Sequence, residues 1–339
     1  MPFEATAQMQ KDLTKDFLAE GYQVPWNVEK PLACRETARK YRMFNEEHTI
    51  QENSARSQDA DPFLFGSESE MWRINRERCG LIYGPAAAIL QVAHPRIAPG
   101  VHDHSNFRTD TMGRLRRTLE GTNRIAFGRA SEAEAIKARL AAVHGKVWGT
   151  VSPGINGPHV YSAFEPDLLF WVLATLISAA VSGYGFVYGE LSVARKEAFY
   201  RDMCRFGKYF GVDESLSPKG WSAFEAYYDG MVEGDFLGSH TMCGELARAV
   251  IYPQDSAGTR LFGWGMDFLP IETLPPKVRE RLGLRSTIWS RFRMRLTRRM
   301  LPKMFPAIPR RLRFYPEYLR AAGNSDGMQS NSLSIRRHR

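Results

Sequence analysis

Apolar residues along this chain recur mainly at three- and four-residue steps, with no evident alternating series, so the pattern predicts helices rather than strands. Ile136, Leu140, Val143, Val147 and Trp148 form one such stripe. Ser131 followed by Glu134 reads as a capping box, with the hydroxyl on an orphan N–H and the carboxylate reaching back, so a helix is expected to begin near residue 132. Residues 168–189 contain 22 positions without a charge, and about 20 apolar residues suffice to cross a bilayer. Thr175, Ser178, Ser182, three glycines and two tyrosines interrupt this run, and Pro166 with Asp167 opens it as soluble helices open. The pattern favours a helix at the centre of a bundle, apolar on all sides, over a membrane span.

Elsewhere, residues 72–82 read as a short helix, and Gly84 with Pro85 starts the next. Residues 95–99 and 153–159 read as loops. Ser192, Arg195 and Lys196 open a helix with Phe199, Met203 and Phe206 on one face, and residues 221–231 form another. Asn53, Ser54, Ser57 and residues 59–62 form a loop ahead of the core. The class is therefore mainly α, a multi-helix bundle without internal repeats. Its expected organisation is a polar N-terminal extension over residues 1–60, a helical core over 61–250, and a C-terminal region over 251–339 ending in a flexible tail.

His144 lies on the stripe, between Leu140 and Trp148. A neutral imidazole facing an apolar cavity needs a partner for its ring nitrogens, and either an iron ion or a backbone carbonyl can serve. Upstream, Arg114 and Thr118 stand four residues apart and share a helix face, with Leu115, Leu119 and Thr122 on the expected packed side. A fixed guanidinium beside a hydroxyl can polarise dioxygen or hold a propionate; a solvated basic face is the other reading.

The blocks GPAAAILQVAHP, HSNFRTDTMGRLRRT, FG, VHGKVWGT, YSAFEPDLLFWVLATL and YGELSVARKEAFYRDMCRFGKYFGV follow one another over residues 84–212. In this order they resemble the rubber-oxygenase (latex-clearing protein) and MpaB-type haem oxygenase family. The resemblance implies a helical, globin-like core holding one haem b, with an axial histidine on one side of the iron and dioxygen and substrate on the other. It makes His144 the proximal ligand and Arg114 with Thr118 the distal pair. It also places His94, His104 and Trp171 among the cofactor-binding positions. One departure is Leu173, where the family commonly has a histidine after the Trp–Val pair.

A chain of 339 residues, 43% hydrophobic, can bury a large core as one large or two ordinary domains. Its twenty Phe, thirteen Tyr and seven Trp suit a flat apolar cofactor as well as an ordinary core. Cys34, Cys79, Cys204 and Cys243 are widely spaced and form no C-x-x-C pair, so neither a zinc ribbon nor a disulfide framework is suggested, and a reducing compartment is the simplest inference. The N-terminal MPFEATAQMQKDLTKDF lacks the features of a secretory signal, so the cytoplasm is the expected location. His102, Asp103 and His104 could hold a metal by two imidazoles and a carboxylate, but a third helical ligand at a defined step is missing, and loop histidines near a pocket fit equally well. No Walker loop, G-x-G-x-x-G or G-x-S-x-G elbow is present.

Charge adds a second theme. Residues 285–313 hold ten Lys or Arg and no acid, and without them the formal charge of +9 becomes −1. Ile288, Phe292, Leu296 and Met300 fall on one side of a helix there, with Arg291, Arg295, Arg298 and Arg299 on others. Such a segment suits peripheral contact with an anionic membrane, or it docks its apolar stripe on the protein's own core. Nucleic acid is not an expected partner, since no recognition motif accompanies the charge. The sequence thus points to a haem-b-dependent oxygenase that uses dioxygen on a hydrophobic, isoprenoid- or lipid-like substrate. The alternative is a non-catalytic haem- or lipid-binding protein at membrane surfaces.

Overall fold

The computed structural model describes residues 61–105, 110–154 and 157–323. The expected N-terminal extension and C-terminal tail lie outside the described residues, as does most of the loop ahead of the core. The fold is mainly helical. In chain order the helices are α1 (Glu70–Asn75), α2 (Gly84–Val92), α3 (Ala98–His104), α4 (Thr111–Phe127), α5 (Ala130–His144), α6 (Pro166–Tyr188), α7 (Val193–Gly207), α8 (Trp221–Glu233), α9 (Thr241–Ile251), α10 (Ala257–Met266), α11 (Phe268–Thr273), α12 (Pro276–Arg281), α13 (Ile288–Met304) and α14 (Arg310–Arg313).

The uncharged run forms α6, and its position explains its composition. Trp171, Leu173 and Ile177 are fully buried, with α2 and the 3-10 turn at Arg78–Ile82 packed along it and α7 alongside. Gly183 lets that turn cross closely, since a Cβ there would lie 2.8 Å from the Cys79 carbonyl oxygen. By length and composition α6 could cross a bilayer, but here other helices supply its apolar surroundings. As expected, Ser192 caps α7, its hydroxyl accepting from Arg195 N–H, and Phe199, Met203 and Phe206 are buried on one face.

Several local expectations are corrected. The cap of α5 is two residues earlier: Glu132, not Glu134, accepts from the Arg129 N–H at 3.1 Å, and Asp61 takes both the Ser131 hydroxyl and N–H. The helix therefore begins at Ala130. The region read as one helix over residues 72–82 is α1 followed by the 3-10 turn. Part of the 95–99 loop is the first turn of α3, with Pro99 in the N-terminal position that needs no N–H partner. In α4 the buried side is Asn123, Ile125, Ala126 and Phe127, while Leu115 is exposed.

The largest omission is an antiparallel hairpin, β1 (Trp148–Gly154) and β2 (Gly157–Ser162), pairing Trp148 with Ser162 and Gly149 with Tyr161. Its second half falls in the predicted 153–159 loop. The register shifts between Val151 and Gly154, which breaks the simple two-residue alternation that reveals a strand.

Near the C-terminus the chain returns to the start of the core. Phe314 bridges Glu77, Arg313 Nε lies 3.2 Å from the Glu77 carboxylate, and Arg76 sits over the rings of Phe314 and Tyr318. Tyr318 packs edge-on against Trp72 and Phe127. Trp72 itself donates Nε1–H to the Ala126 carbonyl at 2.9 Å, joining α1 to α4.

Glu70, at the start of α1, is clamped by Arg195 of α7 through Nε at 3.1 Å and a terminal nitrogen at 2.8 Å. Burial opposes the charge, but hydrogen bonds and charges from Arg195 and Arg73 outweigh it and hold this carboxyl below its ordinary 4.5. A depressed carboxylate contributes stability above its unfolded pKa, and this is lost as pH falls through the folded value. Glu70→Ala is expected to cost about 1–3 kcal/mol in urea denaturation at neutral pH. The gap between parent and variant should narrow below pH 4.5.

Candidate functional site

The site is built around the end of α3. Gly100 lets the hairpin approach, because a Cβ there would stand 3.3 Å from Val147 Cγ1 and 3.4 Å from the Tyr161 ring. Tyr161 on β2 donates its hydroxyl proton to Asp103 Oδ2 at 2.6 Å, and His102 Nδ1 lies 2.8 Å from the other Asp103 oxygen. His104 Nε2 stands 3.1 Å from the Trp148 carbonyl oxygen and 3.2 Å from the Tyr161 hydroxyl. An Nε2–H tautomer satisfies both acceptors. Gly149 leaves the room that this hydroxyl needs, since a Cβ there would be 2.5 Å from it.

The electrostatics are ordered. The Tyr161 and His102 hydrogen bonds hold Asp103 below the usual carboxylate range, while burial and the Asp103 anion push the Tyr161 phenol far above its own. Asp103 is therefore an anion and Tyr161 a fixed proton carrier at neutral pH. This arrangement overturns the His102–Asp103–His104 metal reading: both carboxylate oxygens are engaged, His104 turns to the hairpin, and no metal-binding group of three is found among the described residues.

Arg114, in the first turns of α4, donates to the Ser105 hydroxyl at 2.5 Å, one residue beyond His104. Burial and the neighbouring Arg117 charge lower its pKa. Arg117 itself pairs with Asp110 at 2.8 Å. Thr118 is exposed one turn along from Arg114. Met112 and Leu115 are also exposed, and Met112 N–H donates to Asp255 at 2.8 Å.

His144 is the last residue of α5. Its ring is half-buried, edge-on to Phe164 at 6.1 Å between centroids, and has no hydrogen-bond partner among the described residues. Burial alone lowers its pKa, so the imidazole is neutral with a lone pair to give. The chain continues from it directly into the hairpin: Val147 N–H donates to the His144 carbonyl at 2.9 Å, and the Val147 side chain faces Gly100. The expected stripe is buried at Ile136, but Val143 at 53% and Trp148 at 56% exposure open onto solvent on either side of His144. The structure thus links His104 and Arg114 through Ser105, and ties His144 to the same region through β1.

His94 and Trp171 lie elsewhere, in the core. His94 is buried between α2 and α3, with Nδ1 accepting from Arg96 N–H at 3.3 Å and its ring edge-on to Phe236 at 4.6 Å. Arg96 pairs with Glu165 and Asp167. Trp171 donates Nε1–H to the Leu90 carbonyl at 3.1 Å and stacks on Tyr228. Leu173 packs against Gly207, where a Cβ would lie 2.7 Å from Leu173 Cδ2, so this position is apolar packing between α6 and α7. Sequence reasoning missed Tyr161 and Ser105; only the hairpin, itself missed, would have brought Tyr161 to Asp103.

Residues 71–303 match the family described as ER-bound oxygenase mpaB/B'/Rubber oxygenase, catalytic domain. Two uncharacterised proteins, from Mycobacterium bovis and Mycobacterium tuberculosis, are each 32% identical over 155 residues, covering 44% of this chain and 59% of theirs. The chain thus spans less than two thirds of the length of these relatives. No solved structure matches.

Burial, with the nearby Arg96 charge, holds His94 well below the ordinary 6.5. A depressed histidine is neutral in the fold but takes a proton when unfolded, so stability falls as pH drops below about 6.5 towards the folded value. Urea midpoints between pH 7 and pH 5 should decline in the parent and decline less steeply in His94→Gln.

Proposed function

Because the chain belongs to the mpaB/rubber oxygenase catalytic-domain family, we propose that it is a haem-b-dependent oxygenase acting on a hydrophobic, isoprenoid- or lipid-like substrate. The observation that carries this reading is His144: a neutral, half-buried imidazole without a hydrogen-bond partner among the described residues, between exposed Val143 and Trp148.

The residues fit a haem in kind. His144 offers one neutral nitrogen donor, the exposed Val143 and Trp148 on either side of it offer a small apolar shelf, and Arg114 offers a guanidinium for a propionate or for dioxygen. The globin-like pocket that this reading requires would lie between α3, α4, α5 and the hairpin. His144 would hold the iron through its free ring nitrogen. A haem held there supplies the one-electron and dioxygen chemistry that side chains lack.

The protein's own contribution is positioning and proton management. Ser105 fixes the Arg114 guanidinium, and Thr118 adds a hydroxyl on the same helix face. Asp103 keeps the Tyr161 proton in place, and Tyr161 and the Trp148 carbonyl set the His104 ring at the edge of the site. The apolar shelf selects for a water-poor substrate, because only such a molecule gains by covering it. His94 and Trp171, placed by the resemblance among the cofactor-binding positions, lie in the core apart from this site. A cytoplasmic location belongs to the same proposal and rests on the cysteine spacing alone.

Purified protein from haem-supplied cells is expected to show a Soret band. His144→Ala should abolish it or greatly weaken haem retention, whereas His94→Gln and His104→Ala should leave it largely in place. A colourless, iron-free preparation would sink the haem reading. Loss of the band in His94→Gln, with His144→Ala unaffected, would move the ligand to the core. A haem-loaded protein that consumes no dioxygen with unsaturated lipids would be a binding protein instead.

A further inference from the structure

The basic segment includes α13, whose expected apolar stripe does not dock on the protein's own core. Its docked side includes Ser290 and Met294, both buried, and Leu301, which packs against Cys79, Ile82 and Val187; the Ser290 hydroxyl donates to Glu272 at 2.5 Å. Arg293 flanks that side, pairing with Asp267 at 3.2 Å and lying over the Phe268 ring. The apolar stripe is not on this side. Trp289, Phe292, Leu296, Met300 and Met304 follow one another at three- and four-residue steps and all are exposed, Trp289 and the adjacent Ile288 by about three quarters.

At 100° per residue, Arg291, Arg295 and Arg299 form a second exposed stripe on the flank of the apolar ridge away from the docked side. Lys303 stands within the ridge. Among the described residues none of these four cations has a carboxylate at ion-pair distance, in contrast to Arg293.

We propose that this face of α13 docks on the surface of an anionic lipid membrane. A soluble chain rarely leaves a contiguous apolar ridge of this kind in water. An anionic leaflet supplies both complements side by side, an acyl boundary for Trp289, Phe292, Leu296 and Met300, and headgroup charge for Arg291, Arg295 and Arg299. A nucleic acid complements the cations alone and leaves the ridge wet. The cap also suits a helix lying in an interface plane: Thr287 and Ser290 exchange hydrogen bonds with each other's N–H at 3.0 and 2.8 Å, so the first turn is closed before any lipid is met. This proposal does not depend on the haem reading.

The test is flotation of the full chain with vesicles of phosphatidylcholine, with or without phosphatidylserine. The parent should float with the anionic vesicles and bind phosphatidylcholine alone roughly tenfold or more weakly, with salt abolishing the difference. The pair Arg295→Glu and Arg299→Glu should remove binding, and Phe292→Ser with Leu296→Ser should weaken it at least several-fold. Both pairs are exposed, so circular dichroism melts should match the parent. Absence of flotation, or flotation that neither pair diminishes, overturns the proposal. So does tighter binding to duplex DNA that only the arginine pair abolishes, which would assign the face to nucleic acid.

Discussion

The constraint on which the architecture rests is an uncharged helix that must be surrounded. Alpha6 carries Trp171, Leu173 and Ile177 fully buried on its faces, so the α2 side, the α7 side and the 3-10 turn must all be covered. Every large residue on it contributes a few kcal/mol only if water is excluded from all sides. The surrounding helices are therefore committed to burial along most of their length. The proposed site lies at their ends, where α3 stops, α4 starts and α5 runs into the hairpin.

At those ends the balance between polar order and open apolar surface is sharp. The Tyr161, Asp103, His102 and His104 side chains satisfy one another, and Ser105 fixes Arg114. Next to this satisfied network stand a neutral imidazole and several uncovered apolar side chains, a combination that costs stability unless something fills it. The oxygenase family to which the chain belongs gives a functional reason for retaining such a place.

The sequence made the helices legible where burial follows the 3.6-residue period, as in α7 with Phe199, Met203 and Phe206, and where a long uncharged run marks a surrounded helix, as in α6. It was less legible where local chemistry competes. Ser131 looked like a cap because serine often is one, but Asp61, distant in sequence, claimed it and left the capping to Glu132. Leu115, Val143 and Trp148 looked like core because periodicity cannot distinguish a stripe facing protein from one facing solvent. The same ambiguity governed α13, whose apolar ridge turned outward while Ser290 and Met294 turned in. The hairpin escaped notice because its register breaks within a few residues, and with it went Tyr161, the residue that organises Asp103 and His104.

The return of the chain to α1 has a consequence for biogenesis. Tyr318 completes an aromatic cluster with Trp72 and Phe127, and Arg313 meets Glu77 in the interior, so contacts more than 190 residues apart close the core. A ribosome still short of this segment holds a polypeptide whose first helices lack their covering. Until synthesis passes Tyr318 the nascent protein exposes an adhesive aromatic surface, and its protection in that interval falls to chaperones rather than to its own fold.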